Sequence, residues 1–254
     1  MSSLEKVFTV IETIVSYQST GMNFAAVVGK TGLPKSTVHR LLKYLTGIGY
    51  LSFSTDTKLY RGTLKLAGLG AEVMANFDLR QQVHPQLIKL HQETEHTCNT
   101  GIKSGDAGIF VDKIESRDFG IKLFSEIGKS FPLHCTAMGK VLLAFAAREE
   151  TEKILSQPMQ AYTDKTITKK KALLKELEKV KKNGYAVDWE EITRGIMCVA
   201  APVFGIAGEV SCAISMAFPS YIYSDRGIDM EIRAIKVHAE AISGRNNRGR
   251  RQPI

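Results

Sequence analysis

Between Phe24 and Leu45 the chain reads FAAVVGKTGLPKSTVHRLLKYL, and few local structures satisfy all of its signals. Asn23 supplies a side-chain oxygen suited to cap a short helix over 24–31. Gly32 permits the tight turn that follows, and Pro34 suits the first turn of the next helix, where its missing N–H has no intrahelical partner. In that helix Val38, Leu41, Leu42 and Leu45 fall at i, i+3, i+4 and i+7 and must face a core. Lys35, Ser36, Thr37, His39, Arg40 and Lys43 are then left on the outer face. Upstream, Leu4, Val7, Phe8, Ile11, Ile14 and Val15 recur at three- and four-residue spacing, which predicts a first helix running to about Ser19 before TGM breaks it.

A short helix, a glycine turn and a second helix with a basic, hydroxyl-bearing outer face make a helix-turn-helix, whose second helix enters the DNA major groove. Arg and Lys reach guanine edges or phosphates there, while Ser and Thr near the helix start bond to phosphates or bases. The competing reading is a surface helix with solvated charges. Against it stand YLSFS, the polar turn TDTK and LYRGT, two short strands around a turn. Such a hairpin is a wing, placing Lys58 and Arg61 for the phosphate backbone.

Charge distribution agrees. Residues 1–65 carry eight Lys or Arg against three acids, and the last ten residues add four arginines and no acid. Removing these ends from the chain's net +8 leaves residues 66–244 at −1. A polyanion partner is thus expected for the ends and something else for the middle. No apolar stretch reaches bilayer length and the N-terminus does not read as an export signal, so a soluble, cytoplasmic protein without a membrane partner is expected. Cys98, Cys135, Cys198 and Cys212 contain no C-x-x-C pair, so neither a disulfide framework nor a sequence-local zinc site is indicated.

GLPKSTVHRLLKYLTGIGYL followed by YRGTLKLAGLGAEV resembles the winged-helix domain and linker helix of the IclR family of bacterial transcriptional regulators. The likeness continues through FPLHCTAMGKVLLA, GYAVDWEEITRGIMCVAAPVF and CAISMAFP, covering roughly Leu4 to Ser243. Departures are the second helix, MNFAAVVGKTG, and the arginine-rich tail. The expected fold class is α+β: a winged helix-turn-helix domain at 1–65, a linker helix at 66–80, an effector-binding and oligomerisation domain at 81–244, and a basic, disordered tail at 245–254. Resemblance implies that the third part is a GAF-like domain binding a small molecule.

Its own pattern predicts an α+β domain with a largely antiparallel sheet. Two helices between Leu64 and His96 precede short strands in TCNTGIKSG, GIFVDKIES and GIKLFSE. Helices follow in CTAMGKVLLAFAA and KKKALLKELEKVKKNG, the second with Leu173, Leu174, Leu177 and Val180 inward. Strands return in YAVDW, IMCVAAPVF and EVSCAISMAF before a last helix, DMEIRAIKVHAEAIS. Asp188 lies before a turn, Cys198 on the strand beyond it and Ser215 on the next, so facing side chains would line one pocket. Thr136, Ala137 and Met138 lie at a helix start, where free amides and the helix dipole favour an anion such as a carboxylate. Resemblance implies an effector pocket built from this helix start with Asp188, Ile196, Cys198 and Ser215. Ala217 stands where several members carry a second serine, so that hydrogen bond is not carried over and a less polar effector is admitted.

Plainer readings compete. Cys198 and Cys212 suit a core, and Asp188, Glu190 and Glu191 suit a solvated turn. His134 and Cys135, adjacent on a strand, would point to opposite faces and make poor joint metal ligands. The resulting expectation is a dimeric or tetrameric repressor or activator, not an enzyme, that needs no cofactor. It would bind a double-stranded DNA operator under control of a small organic acid effector of carbon catabolism. The alternative is a cysteine-dependent enzyme of GAF-like fold with an accessory DNA-binding domain, using Cys198 as nucleophile.

Overall fold

The computed structural model describes residues 1–75, 78–116, 125–223 and 227–248. The chain divides into two compact units, Met1–Phe77 and Asp78–Ile254.

In the N-terminal unit, α1 (Ser3–Ser16) starts with a reciprocal capping box, Ser2 accepting from the Glu5 amide and Glu5 accepting from the Ser2 amide. It ends at Ser16, three residues before the expected boundary, and Gly21 follows in a left-handed conformation. Helix α2 (Phe24–Thr31) is capped by Asn23, and Gly32 closes it at φ 65°. Helix α3 (Lys35–Gly47) begins one residue after Pro34, which is the cap residue and not part of the first turn. Val38, Leu41, Leu42 and Leu45 are buried as the spacing requires, beside Val10, Ile14, Val27 and Leu51. Strands β1 (Leu51–Phe53) and β2 (Tyr60–Gly62) form the antiparallel wing. The Gln18 side chain donates to the Gly62 carbonyl and accepts from its amide, at 2.9 and 2.8 Å, pinning the end of α1 to β2. Helix α4 (Leu64–Ala75) closes the unit.

The C-terminal unit opens with α5 (Asp78–Thr94), so the stretch expected as one linker helix, 66–80, includes the start of a second helix. Strands β3 (Thr97–Ser104), β4 (Ala107–Ile114) and β5 (Ser130–Phe131) lead to α6 (Ala137–Ala144), α7 (Arg148–Leu155) and α8 (Lys170–Asn183). Strands β6 (Ala186–Trp189), β7 (Ile196–Phe204) and β8 (Val210–Pro219) and helix α9 (Asp229–Arg248) complete it. Of GIKLFSE, the strand expected over 120–126, residues 120–124 lie outside the described residues; α7 and β5 had no clear periodic signal. Helix α9 runs to Arg248, into the stretch expected as disordered tail, and 249–254 lie outside the described residues.

All neighbouring strands are antiparallel, in the order β5-β4-β3-β8-β7-β6. Period-two alternation along β7 and β8 divides the sheet into two buried faces. Met197, Val199, Ala201 and Val203, with Cys212, Ile214, Met216 and Phe218, face a core shared with Val83, Leu87 and Leu90 of α5 and Ile235, Ala239 and Ile242 of α9. Ala200 and Ala213 face the opposite core, with Val141 and Leu143 of α6 and Leu173, Leu177 and Val180 of α8. Leu174, expected inward, is only half-buried. Small residues in the middle of this face let α6 approach closely. A Cβ on Gly139 would stand 2.5 Å from the Leu133 Cα, so Gly139→Ala must displace backbone. We expect it to destabilise the protein by about 1–3 kcal/mol, read as a lower urea midpoint with an unchanged slope.

Candidate DNA-binding surface and ligand cavity

On α3, Lys35, Ser36, His39, Arg40 and Lys43 are exposed and Thr37 is half-buried, because the four apolar positions turn the opposite side inward. Tyr44 joins them at 61% exposure, a polar-tipped residue that periodicity alone places between the buried and exposed faces. Lys58 is exposed at the wing turn, with φ 57°. Arg61 differs from its expected role. It is half-buried, and its Nη2 donates to the Thr20 carbonyl at 3.1 Å, so the guanidinium braces α1's exit against the wing. Lys65 is likewise engaged: its ammonium donates to the Ile48 carbonyl at the end of α3, at 2.9 Å, and lies over the Tyr50 ring. Part of the positive charge counted in this unit therefore serves its own architecture.

In the C-terminal unit the residues singled out by sequence converge. Thr136, Ala137, Met138, Asp188, Ile196, Cys198 and Ser215 all line one partly open cavity of about 60 Å³. Strand pairing explains why. Asp188 on β6 sits opposite Cys198 on β7, Cys198 opposite Ala217 on β8, and Ser215 opposite Asn99 on β3, all on the α6 side of the sheet. The start of α6 forms the facing wall. Thr136 caps it, accepting from the Gly139 amide at 3.0 Å and donating to the Pro132 carbonyl at 2.7 Å. This leaves the amides of Ala137 and Met138, in the first turn, without intrahelical acceptors.

Among the described residues, Asn99, Phe110, Ser125, Ile192, Thr193 and Ala217 also line the cavity and were not foreseen as a group. Asn99 was findable only through strand register, since its place opposite Ser215 is a tertiary fact. Ile192 and Thr193 come from the irregular segment after β6, which carries no periodicity.

The acids at 188–191 are not the solvated cluster that composition allows. Asp188 is 0% and Glu191 3% exposed, while Glu190 is half-buried. The ammonium of Lys140, on α6 and 1% exposed, forms an ion pair with Glu191 and donates to the Val187 carbonyl at 2.6 Å. Thr166 donates to the Glu191 carbonyl at 2.6 Å and fixes the loop from outside. Asp188 Oδ1 accepts from the Glu191 amide at 2.7 Å. Among the described residues, Asp188 Oδ2, Asn99 Oδ1 and Ser125 Oγ are buried without hydrogen-bond partners, and all three residues belong to the cavity. Native proteins rarely tolerate such orphans without a ligand or water to satisfy them.

Desolvation pushes the Asp188 carboxyl up to about 7, opposed by the Glu191 amide. Burial likewise raises the Cys198 and Cys135 thiols, the opposite of what a thiolate nucleophile requires. His134 and Cys135 lie in the turn before α6, not on a strand. His134 Nε2 is bonded to the Gln160 carbonyl at 2.9 Å, and Cys135 is buried. No group of three or more His, Cys, Asp or Glu among the described residues could hold a metal ion. Nor is any helix there long and apolar enough to cross a membrane.

Residues 3–54 match the IclR helix-turn-helix domain, and residues 71–244 match the C-terminal domain of the bacterial transcriptional regulator IclR. The chain belongs to the IclR family. It is 33% identical over 244 residues to the HTH-type transcriptional regulator KdgR of Escherichia coli, covering 96% of this chain and 92% of that one. To the regulator XynR of the same organism it is 33% identical over 218 residues, 85% of this chain and 86% of that protein. The crystal structure of Thermotoga maritima IclR superposes with a TM-score of 0.73 at 30% identity, over 96% of this chain and 98% of that one. An IclR homologue from Microbacterium hydrocarbonoxydans, solved with 4-hydroxybenzoate, gives a TM-score of 0.81 over 98% of this chain and 100% of that one. At 22% identity that likeness speaks to the fold. As an IclR-family member the protein is a transcriptional regulator with a helix-turn-helix DNA-binding domain, and not an enzyme.

The raised Asp188 carboxyl has a stability consequence. A carboxyl near 3.8 when unfolded and about 7 when folded binds its proton more tightly in the native state. Its contribution is full below about pH 4 and lost as pH rises through 7, a swing on the order of 4 kcal/mol. Asp188→Asn is therefore expected to raise the melting temperature above wild type at pH 8, with the gain shrinking toward pH 5, as scanning calorimetry across that range would show.

Proposed function

We propose that this regulator reads an operator with the outer face of α3 and that a small organic acid in the cavity of the C-terminal unit modulates that binding. The observation that carries the reading is the pairing of a solvent-facing basic helix in one unit with a largely apolar cavity bearing a few buried polar groups in the other. Lys35, Ser36, Thr37, His39, Arg40 and Lys43 supply base-edge and phosphate contacts, and Lys58 supplies a wing contact to the backbone. Arg61 adds charge from a braced position. Thr136, Ala137, Met138, Asp188, Ile196, Cys198 and Ser215 hold the effector, its carboxylate at the first turn of α6. The protein acts in the cytoplasm, where its DNA is.

One recognition helix covers only a few base pairs, so the active species is a homodimer or a higher assembly of dimers. The N-terminal unit supports this with large apolar side chains in water: Leu4 and Phe8 on α1 are 74% and 61% exposed, and Leu69 and Val73 on α4 are 54% and 68% exposed. In each helix the two residues are four apart and share a face.

Selection of bound sequences from a random duplex pool at physiological salt tests the DNA half of the proposal. We expect a motif with two-fold symmetry. On the selected duplex, Arg40→Ala or Lys43→Ala is expected to cost about 1–3 kcal/mol and relax the motif. Lys58→Ala should weaken all duplexes alike and lower the salt slope by about one. Equal retention of all sequences by the wild type would overturn operator reading.

A further inference from the structure

The cavity holds an unbalanced charge. Asp188 is the charged residue among the described lining residues, and the nearby Lys140 ammonium, outside the lining, is committed to Glu191 and the Val187 carbonyl. Among the described residues the Asp188 carboxylate forms no ion pair, and its Oδ2 has no hydrogen-bond partner. The titratable groups facing Asp188 are Lys140 on α6, Glu191 in the loop after β6, Cys135 in the turn before α6 and Cys198 on β7. Both thiols stay neutral through burial, so Asp188, Glu191 and Lys140 together carry one net negative charge when Asp188 is ionised.

An acid effector brings another. Its carboxylate, seated at the amides of Ala137 and Met138, shares one small cavity with Asp188. A second carboxylate near the buried Asp188 carboxyl raises its proton affinity further. The effector's charge is held by amides and a helix dipole, whereas at Asp188 burial outweighs the help its carboxylate receives from the Glu191 and Ile192 amides. The proton therefore goes to Asp188.

We propose that Asp188 takes up a proton from solvent as a carboxylate effector enters, and that its Oδ2–H then donates to an effector oxygen, so that the cavity takes a monocarboxylate and one proton together. Binding satisfies the orphaned oxygen and leaves the cavity's charge unchanged. A dicarboxylate adds a charge for which the described lining residues offer no cation. Burial already places the Asp188 carboxyl near neutrality, so the proton is available under physiological conditions. This inference rests on the acid-effector reading above and adds its proton stoichiometry and charge limit.

The test is isothermal calorimetry on the full chain with lactate, gluconate, benzoate and malonate, from pH 6 to 8.5, in two buffers of different ionisation enthalpy. For the monocarboxylates that bind, Kd should be flat at the acid end and rise about tenfold per pH unit beyond roughly pH 7.5, with proton uptake approaching one per ligand. Asp188→Asn should remove both the slope and the uptake. A pH-independent Kd without proton uptake, or an undiminished slope in Asp188→Asn, would overturn the proton coupling while leaving the acid-effector reading in place. Malonate binding as tightly as the monocarboxylates would overturn the charge limit. If none of the four binds at any pH, the acid-effector reading falls and this inference with it. Should the variant not fold, the wild-type proton count decides the matter alone.

Discussion

The buried ammonium of Lys140 is where the C-terminal unit is tied together. It joins α6 to β6 through the Val187 carbonyl and to the loop after β6 through Glu191. Those contacts fix the start of α6 over the sheet, and the space they leave is the cavity. A buried ion pair is weak evidence for net stability, since desolvating both partners offsets most of their attraction. Removing one partner is another matter, because it strands a charge in the interior at a cost of about 3–5 kcal/mol. The pair therefore acts as a registration device: Thr136, Ala137 and Met138 can be placed only where Lys140 reaches Glu191, and Ile192 and Thr193 follow Glu191 into the wall.

The sheet supplies the other half of this constraint. On the α5 and α9 side, large side chains such as Met197, Ile214 and Phe218 are buried in the core. Facing α6 the alternate positions are small or polar, Cys198, Ala200, Ala213, Ser215 and Ala217, and they do not fill it. A sheet whose two faces differ so sharply in side-chain volume is closed on one side and hollow on the other.

Much of this was legible from sequence where a local period dictates the outcome. The face of α3 follows from Val38, Leu41, Leu42 and Leu45 alone, and the Asn23 cap and Gly32 turn need no tertiary information. The seven cavity residues were reached in part through family resemblance, and strand alternation explains why they meet. What stayed hidden depends on partners distant in the chain. Arg61 looked like a phosphate contact because nothing local reveals that the Thr20 carbonyl is within its reach. Glu191 looked solvated because its cation lies 51 residues away on another element. Asn99 lines the cavity only because β3 pairs with β8 in one register and not the next.

The two units divide the labour by dielectric. On α3 the charges stand in water, where each contributes little until DNA displaces its counterions, so affinity there is collective and sensitive to salt. In the cavity the charges are few and desolvated, so a single proton or carboxylate changes the local balance by more than any exposed lysine does. An effector shifts a regulator only by the difference in its affinity for the two DNA-binding arrangements. A rigidly registered wall makes that difference attainable, because a ligand that must displace or satisfy fixed groups distinguishes small changes in their spacing. The ion pair at Lys140 and Asp188 Oδ2, which has no hydrogen-bond partner among the described residues, are complementary in this respect: one holds the geometry still, and the other offers a fixed group for a ligand to satisfy.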